Sequence, residues 1–377
     1  MNHIKRHPQF PLDDNILYFN HAAVSPWPKC TVEAIQDFSQ QNLHTGSSNY
    51  LKWLETESNL RESLRTLISA DSKDDIALLK NTSEGLSVIA YGLNWSAGDN
   101  IVIPADEFPS NRIVWQSLKQ FGVETREIDI RSATNPEQAL IDAIDKNTRL
   151  VSVSAVQYTD GFRLDLPKLG AYLSDTPVLF VVDAIQQLGA LPFDVSQIKA
   201  DFVVADGHKW MLGPEGLALF YSHPDARSRL NLKQYGWHMI ENPADFTQHD
   251  WQIVKTSQRF ECGSPNMLAA FALHASLNLI HQTGQDHIGE LILSNSYNIM
   301  NYINNSEIYN LLSITDENRR SGIVLFKHHT MDCEQLHNKL TVAGIQCAAR
   351  GGGIRLSPHF YHEKWEFDAL FDHLSSI

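Results

Sequence analysis

The chain has 377 residues, 43% of them hydrophobic, and 30 Lys and Arg against 44 Asp and Glu give a formal net charge of −14. That length is more than one core organises and predicts two domains, while the acidic balance argues against nucleic acid or an anionic membrane as partner. No apolar run approaches the roughly 20 residues of a membrane span, and the start Met-Asn-His-Ile-Lys-Arg has no leader-like apolar stretch, so a soluble cytoplasmic protein is expected.

In chain order, 15–19 is a short apolar run opening into Asn20-His21-Ala22-Ala23-Val24-Ser25-Pro26, where small residues let the backbone approach a ligand. Helical spacing covers 31–41 and 53–69, joined by Asn42-Leu-His44-Thr-Gly46. A strand at 76–79 leads into Asn81-Thr82-Ser83-Glu84-Gly85 and a helix over 86–95. A hydroxyl residue followed by Glu at such a turn marks a helix N-terminus, whose free N–H groups and dipole bind phosphate. Strands at 100–103, 123–128 and 150–156 alternate with helices at 112–121, 136–146 and 166–174, which predicts a mostly parallel sheet with helices on both faces.

Three apolar runs follow, 178–182, 202–205 and 217–221, rich in β-branched or aromatic residues and bounded by Gly, Pro or Asp, as fully buried strands are. Two of them close on carboxylates, Asp183 and Asp206, at the sheet edge where open α/β folds bind ligands. Directly after comes Asp206-Gly-His208-Lys209-Trp210. Lys209, walled by Trp210 and Met211, is placed to lose its hydration and act as a Schiff-base amine, and an Asp on a neighbouring strand would serve the ring nitrogen of pyridoxal phosphate (PLP).

Beyond a polar stretch at 231–258 and a helix at 267–282, the segment 288–377 reads as α+β, with helices at 288–304 and 333–343, a strand at 321–326, and Arg355 on a strand after a glycine run. The four cysteines form no Cys-x-x-Cys pair and read as reduced core residues. His359 and His362 are spaced like metal ligands, but a solvated surface pair is the simpler reading and no metal is expected.

Asp183-Ala-Ile-Gln186, then His208-Lys209, then Gly213-Pro-Glu-Gly216, each at a strand end and in this order, resembles the class V aminotransferase family of fold-type I PLP enzymes, which includes cysteine desulfurases, selenocysteine lyases, isopenicillin N epimerase and kynureninase. The likeness runs from about Tyr18 to the C-terminus. It implies an α/β fold with a seven-stranded, mostly parallel sheet in a large domain, 16–280, and a smaller α+β domain, 281–377 with 1–15.

The resemblance also implies pyridoxal 5′-phosphate as cofactor and an amino acid as substrate. Lys209, Asp183 and His208 would be catalytic, Lys209 on the aldehyde carbon and Asp183 on the pyridine nitrogen. Thr82, Ser83 and His208 would hold the phosphate, Phe108 would stack on the ring, and Gln186, with either Gln157 or Tyr158, would meet the phenolic oxygen. Arg259-Phe-Glu-Cys262-Gly263-Ser264-Pro-Asn resembles the element that reaches the partner subunit's phosphate, which assigns Ser264 to the cofactor set and implies a homodimer. Arg355 would fork the substrate carboxylate, with His21 and His44 on the substrate side.

Three departures bear on the reaction. Phe108 stands where desulfurases carry His, Asp206 where they carry a phosphate-binding Ser, and the loop that would bear a nucleophilic Cys is only 348–354, with Cys347 ahead of it. A carboxylate aimed at a phosphate dianion is repelled, so Asp206 stays outside the phosphate set. Transamination is therefore ranked first, C–S lyase, desulfurase-like or epimerase chemistry second, and a non-enzymatic binding module last.

Overall fold

In the computed structural model, which describes residues 6–247 and 249–377, seven strands make one sheet. After a two-residue β1 (Leu17–Tyr18), these are β2 (Ile76–Leu79), β3 (Asn100–Pro104), β4 (Glu124–Ile128), β5 (Thr148–Ser154), β6 (Leu179–Asp183), β7 (Phe202–Asp206) and β8 (Ala218–Ser222). Their order is β2-β8-β7-β6-β5-β3-β4; β8 runs antiparallel to both neighbours and the other pairs are parallel.

The runs at 178–182 and 202–205 lack polar alternation because both faces are covered. Along β6, Phe180 and Val182 enter one core, with helices Tyr50–Leu67 and Met267–Thr283, while Leu179 and Val181 enter the other, with helices Thr82–Gly92 and Ser110–Gln116.

Register then sets the chemistry. Ser154, the last residue of β5, pairs with Asp183, the last of β6, and Asp183 pairs with Val204 of β7. Buried strands of similar length thus end together and bring Asp183, Asp206 and the following turns to one edge.

The C-terminal part adds β9 (Tyr309–Leu311), β10 (Val324–His328), β11 (Ile345–Gln346), β12 (Ala348–Arg350) and β13 (Gly353–Leu356). Four of these form an antiparallel sheet in the order β12-β13-β10-β9, packed with helices Gln285–Asn304, Cys333–Val342 and Lys364–Ser375. β1 pairs in parallel with β11, and Leu17 and Phe19 sit in this C-terminal core. The chain from 17 to 19 thus packs with the C-terminal part; a two-residue strand has no periodicity of its own to reveal its partner.

Two expectations are corrected. Residues 348–354 are a hairpin, not a loop: Arg350 pairs with Gly353 across a two-residue turn whose Gly351 and Gly352 have φ of +53° and +74°. Two consecutive positive φ values define the tight turn that fits the strand twist and that glycine adopts without steric cost. His359 and His362 are not a solvated pair; they are 0% and 9% exposed. Each has both ring nitrogens engaged, His359 with the Trp210 carbonyl and the Phe360 amide, His362 with the Tyr18 carbonyl and the His359 amide.

Among the described residues, no helix is long and apolar enough to cross a membrane.

Candidate active site

At the C-terminal edge of the large sheet lies a cavity of about 320 Å³, walled by the turn after β1, the start of helix Thr82–Gly92, the turns after β3, β5, β6 and β7, and the β12–β13 hairpin. Lys209 enters it from the turn after β7. That turn is closed by Gly213 donating its amide to the Gly207 carbonyl (2.9 Å), with Trp210, Met211 and Leu212 buried beneath. Burial lowers the Lys209 ammonium to about 8, against the pull of the Asp183 carboxylate and with the Arg355 guanidinium adding to the fall. An amine so placed is partly neutral near physiological pH and can act as nucleophile or base.

Asp183 is 2% exposed and accepts the Ile185 amide at 3.0 Å. Burial raises its carboxyl to about 6, so it is mostly ionised at pH 7 and is a buried anion seeking a cation.

At the other end, helix Thr82–Gly92 is capped by Asn81, whose Oδ1 accepts the Glu84 amide at 2.9 Å. This relieves Thr82 and Ser83 of the capping task. Thr82 Oγ1 accepts the Asp206 amide at 3.2 Å, Ser83 Oγ meets Ser110 Oγ at 2.8 Å, and both residues, which line the cavity, have N–H groups with no intrahelical acceptor. His208 Nδ1 lies 3.0 Å from Asp206 Oδ1, though not aligned as a hydrogen bond, so the carboxylate is turned toward an imidazole.

Phe108 and Tyr158 form an aromatic wall, with ring centres 5.1 Å apart and edge to face. Between the two alternatives at this turn, Tyr158 lines the cavity, while Gln157 is fully buried and donates to Glu107. Gln186 lines it too; its amide nitrogen donates to the Ala22 carbonyl (3.0 Å), its oxygen accepts from the Trp210 indole (2.8 Å), and one N–H stays free.

Arg355 is 2% exposed, donates from Nη1 to the Tyr158 carbonyl at 2.6 Å and leaves Nε without a partner. Burial lowers it to about 10, with Arg350 adding to the fall, so it remains a cation at neutral pH. A buried guanidinium with an orphaned N–H suits a carboxylate.

Three expected residues lie elsewhere. His21 is fully buried behind the site, Nδ1 on the Ser357 carbonyl (2.8 Å) and Nε2 on the Tyr361 hydroxyl (2.7 Å), so it cannot face a substrate. His44 is exposed in the last turn of helix Lys29–Thr45 and pairs with Gln40. Ser264 is exposed and lines a separate cavity with Asn81, Glu84 and Cys262.

Sequence reasoning missed Ser110 and Arg350 in the lining and Glu107 beneath it. Glu107, beside the expected Phe108 in an otherwise turn-like segment, was the one visible signal.

A lysine and an aspartate buried at one end of a mostly parallel seven-stranded sheet, facing a helix N-terminus, an aromatic wall and a carboxylate-seeking arginine, define a fold-type I PLP enzyme. The donor set fits the cofactor: amine for aldehyde, anion for ring nitrogen, flat ring for pyridine, and the helix N-terminus at Thr82 and Ser83 for phosphate. The class V aminotransferase model matches residues 17–369, and the chain belongs to that family. It is accordingly a PLP-dependent enzyme.

Among relatives, a probable cysteine desulfurase of Methanothermobacter thermautotrophicus is 29% identical over 97% of this chain and 96% of its own. Another, of Pyrococcus abyssi, is 32% identical over 74% and 70%. Among solved structures, the cystine C–S lyase C-DES, in complex with its product cysteine persulfide, superposes with a TM-score of 0.89 at 23% identity over 97% of this chain and 98% of that one.

Proposed function

We propose that the chain is a C–S lyase that eliminates a sulfur leaving group from a cysteine-type amino acid. The sulfur chemistry in the names of the relatives is what puts this reading ahead of transamination, while the hairpin turn at Gly351–Gly352 argues against a persulfide-forming nucleophile: among the described residues no cysteine lines the cavity, and burial pushes the Cys347 thiol up to about 12. The relatives bear desulfurase and C–S lyase names, and without a cavity thiol the sulfur must leave with the substrate's own fragment.

Bound here, PLP supplies an aldehyde carbon that condenses with amines and a protonated pyridine that accepts electrons from Cα. Asp183 would supply the charge that keeps the ring nitrogen protonated. Thr82, Ser83 and His208 would hold the phosphate, Phe108 would cover the ring, and Gln186 and Tyr158 would flank it. Arg355 grips the α-carboxylate and so sets which Cα bond faces Lys209. Lys209 takes the Cα proton; the Cβ–S bond breaks and its electron pair leaves with sulfur. Water then completes the balance, a thioether or disulfide of cysteine plus water giving a thiol or persulfide, pyruvate and ammonium. Phe108 in place of an acidic side chain suits a leaving group such as a persulfide, which departs as an anion without a proton donor.

Transamination is the second reading, because Lys209 can return the proton to the cofactor carbon as readily. The functional unit is a homodimer, in which the exposed Ser264 serves the partner's site, and the four free cysteines suit a reducing cytoplasm.

The test is a coupled assay on purified holoenzyme with cystine, cysteine and a panel of non-sulfur amino acids. Pyruvate and ammonium released in equal amounts from the sulfur substrates support the lyase. A keto acid retaining the whole carbon and sulfur skeleton, with amino-group transfer to an acceptor, favours transamination.

A further inference from the structure

Glu107 is a carboxylate that the chemistry above does not use, yet it is 3% exposed and lies directly beneath the site. It sits between β3 and helix Ser110–Gln116, immediately before Phe108. Oε1 accepts the Ser154 amide at 2.6 Å and the Gln157 side-chain amide at 3.1 Å, and Oε2 meets the Ser154 hydroxyl. Those two partners are informative. Ser154 is the register partner of Asp183, and Gln157 precedes Tyr158, whose ring packs on Phe108 and whose carbonyl holds Arg355.

We propose that Glu107 is a positioning residue, a buried clamp that ties Phe108 and the 157–158 turn to the end of β5 and so holds the aromatic wall of the cofactor cavity in place. This rests on the reading of Phe108 as the ring's cover.

The chemistry of the clamp is hydrogen bonding rather than charge. Its oxygens face two N–H donors and one hydroxyl that can either donate or accept, so an uncharged acid is satisfied as fully as a carboxylate. Burial does raise Glu107 to about 7, with the Ser154 bonds and the neighbouring Asn111 amide opposing and Asp183 adding to the rise, so the clamp spans both forms near neutrality. Of the groups packed around it, Asp183 is the ionisable one; Ser154, Gln157 and Asn111 are neutral. Glu107→Gln preserves the shape and can donate to Ser154 Oγ, whereas Glu107→Ala leaves two buried N–H groups unpaired.

The experiment is absorbance titration of apo-protein with PLP for the wild type, E107A, E107Q, F108A and E107A/F108A, with Gln157→Ala as a milder probe should E107A fail to fold. Losing the clamp is expected to weaken PLP about tenfold in E107A and about threefold in Gln157→Ala, with E107Q within about twofold of wild type. Because the clamp acts through the wall, E107A/F108A should bind as F108A does. An E107Q as weak as E107A, losses that add in the double variant, or a wild-type affinity in both E107A and Gln157→Ala would overturn the positioning role and leave the function reading intact. An F108A with wild-type affinity would overturn the reading of the ring cover, and this inference with it.

Discussion

Lys209 Nζ stands 5.5 Å from the centre of the Phe108 ring, facing the wall that Tyr158 extends edge-on. Burial in this cavity lowers the amine to about 8. Only the neutral amine attacks an aldehyde, so the rate at which apo-protein captures PLP should rise with pH through a midpoint near 8, followed by stopped-flow absorbance. Asp183 holds the amine up, so Asp183→Asn should move that midpoint lower. The same variant loses a charge-assisted bond to the ring nitrogen and should bind PLP roughly 10- to 100-fold more weakly. A midpoint near the ordinary lysine value would show that the amine is not desolvated.

Arg355→Met should act on the substrate rather than the cofactor. Truncating one partner of a buried charge pair costs about 2–5 kcal/mol, or roughly 30- to several-thousand-fold in kcat/KM, with PLP affinity little changed. Comparing an amino acid with its decarboxylated amine is the check. If the variant loses as much rate toward the amine as toward the acid, Arg355 does not bind the carboxylate.

The readable part of this chain was its centre. The buried runs that became β6 and β7 end at Asp183 and Asp206, and parallel strands of that kind need only their own composition to be recognised. The helix N-terminus at Thr82 was legible for the same local reason, although Asn81 is the cap in place of the hydroxyl residues. What escaped is set by distant partners. β1 is defined by β11, and the 348–354 segment by its pairing within a hairpin. His359 and His362, spaced like surface residues, are buried by the N-terminal segment and Trp210.

Those histidines make the fold acid-sensitive. The His21 ring centre lies 5.0 Å from that of His359, tilted, and 5.5 Å from that of His362, edge to face, and the bonds of all three define neutral tautomers. Burial lowers all three, His359 to about 3. A folded pKa below the unfolded value means that the unfolded chain binds more protons, so stability is full above about 6.5 and is lost as pH falls from there toward the folded value. Tm should fall steeply between pH 6.5 and 4, and His359→Gln should flatten that slope. An unchanged slope would place the acid sensitivity in other groups.

Gly351 tests the hairpin. A Cβ there would lie 2.3 Å from Thr159 Cγ2 at a φ of +53°, so Gly351→Ala adds a clash to a left-handed penalty of about 1–2 kcal/mol. A Tm lower by several degrees is expected, with a raised KM, because Arg350 and Arg355 flank the same turn. Gly352 has open space around its missing Cβ, so Gly352→Ala should lose only the conformational part. Equal losses at the two positions would mean that the contact with Thr159 does not matter.

The most direct test of the central claim is to mix the purified protein with PLP, reduce with borohydride and map the modified peptide by mass. The account predicts a single reduced pyridoxyl adduct on Lys209, and in Lys209→Ala no visible absorbance, no adduct and no turnover. Label on another lysine, or colour and adduct persisting in Lys209→Ala, would contradict it.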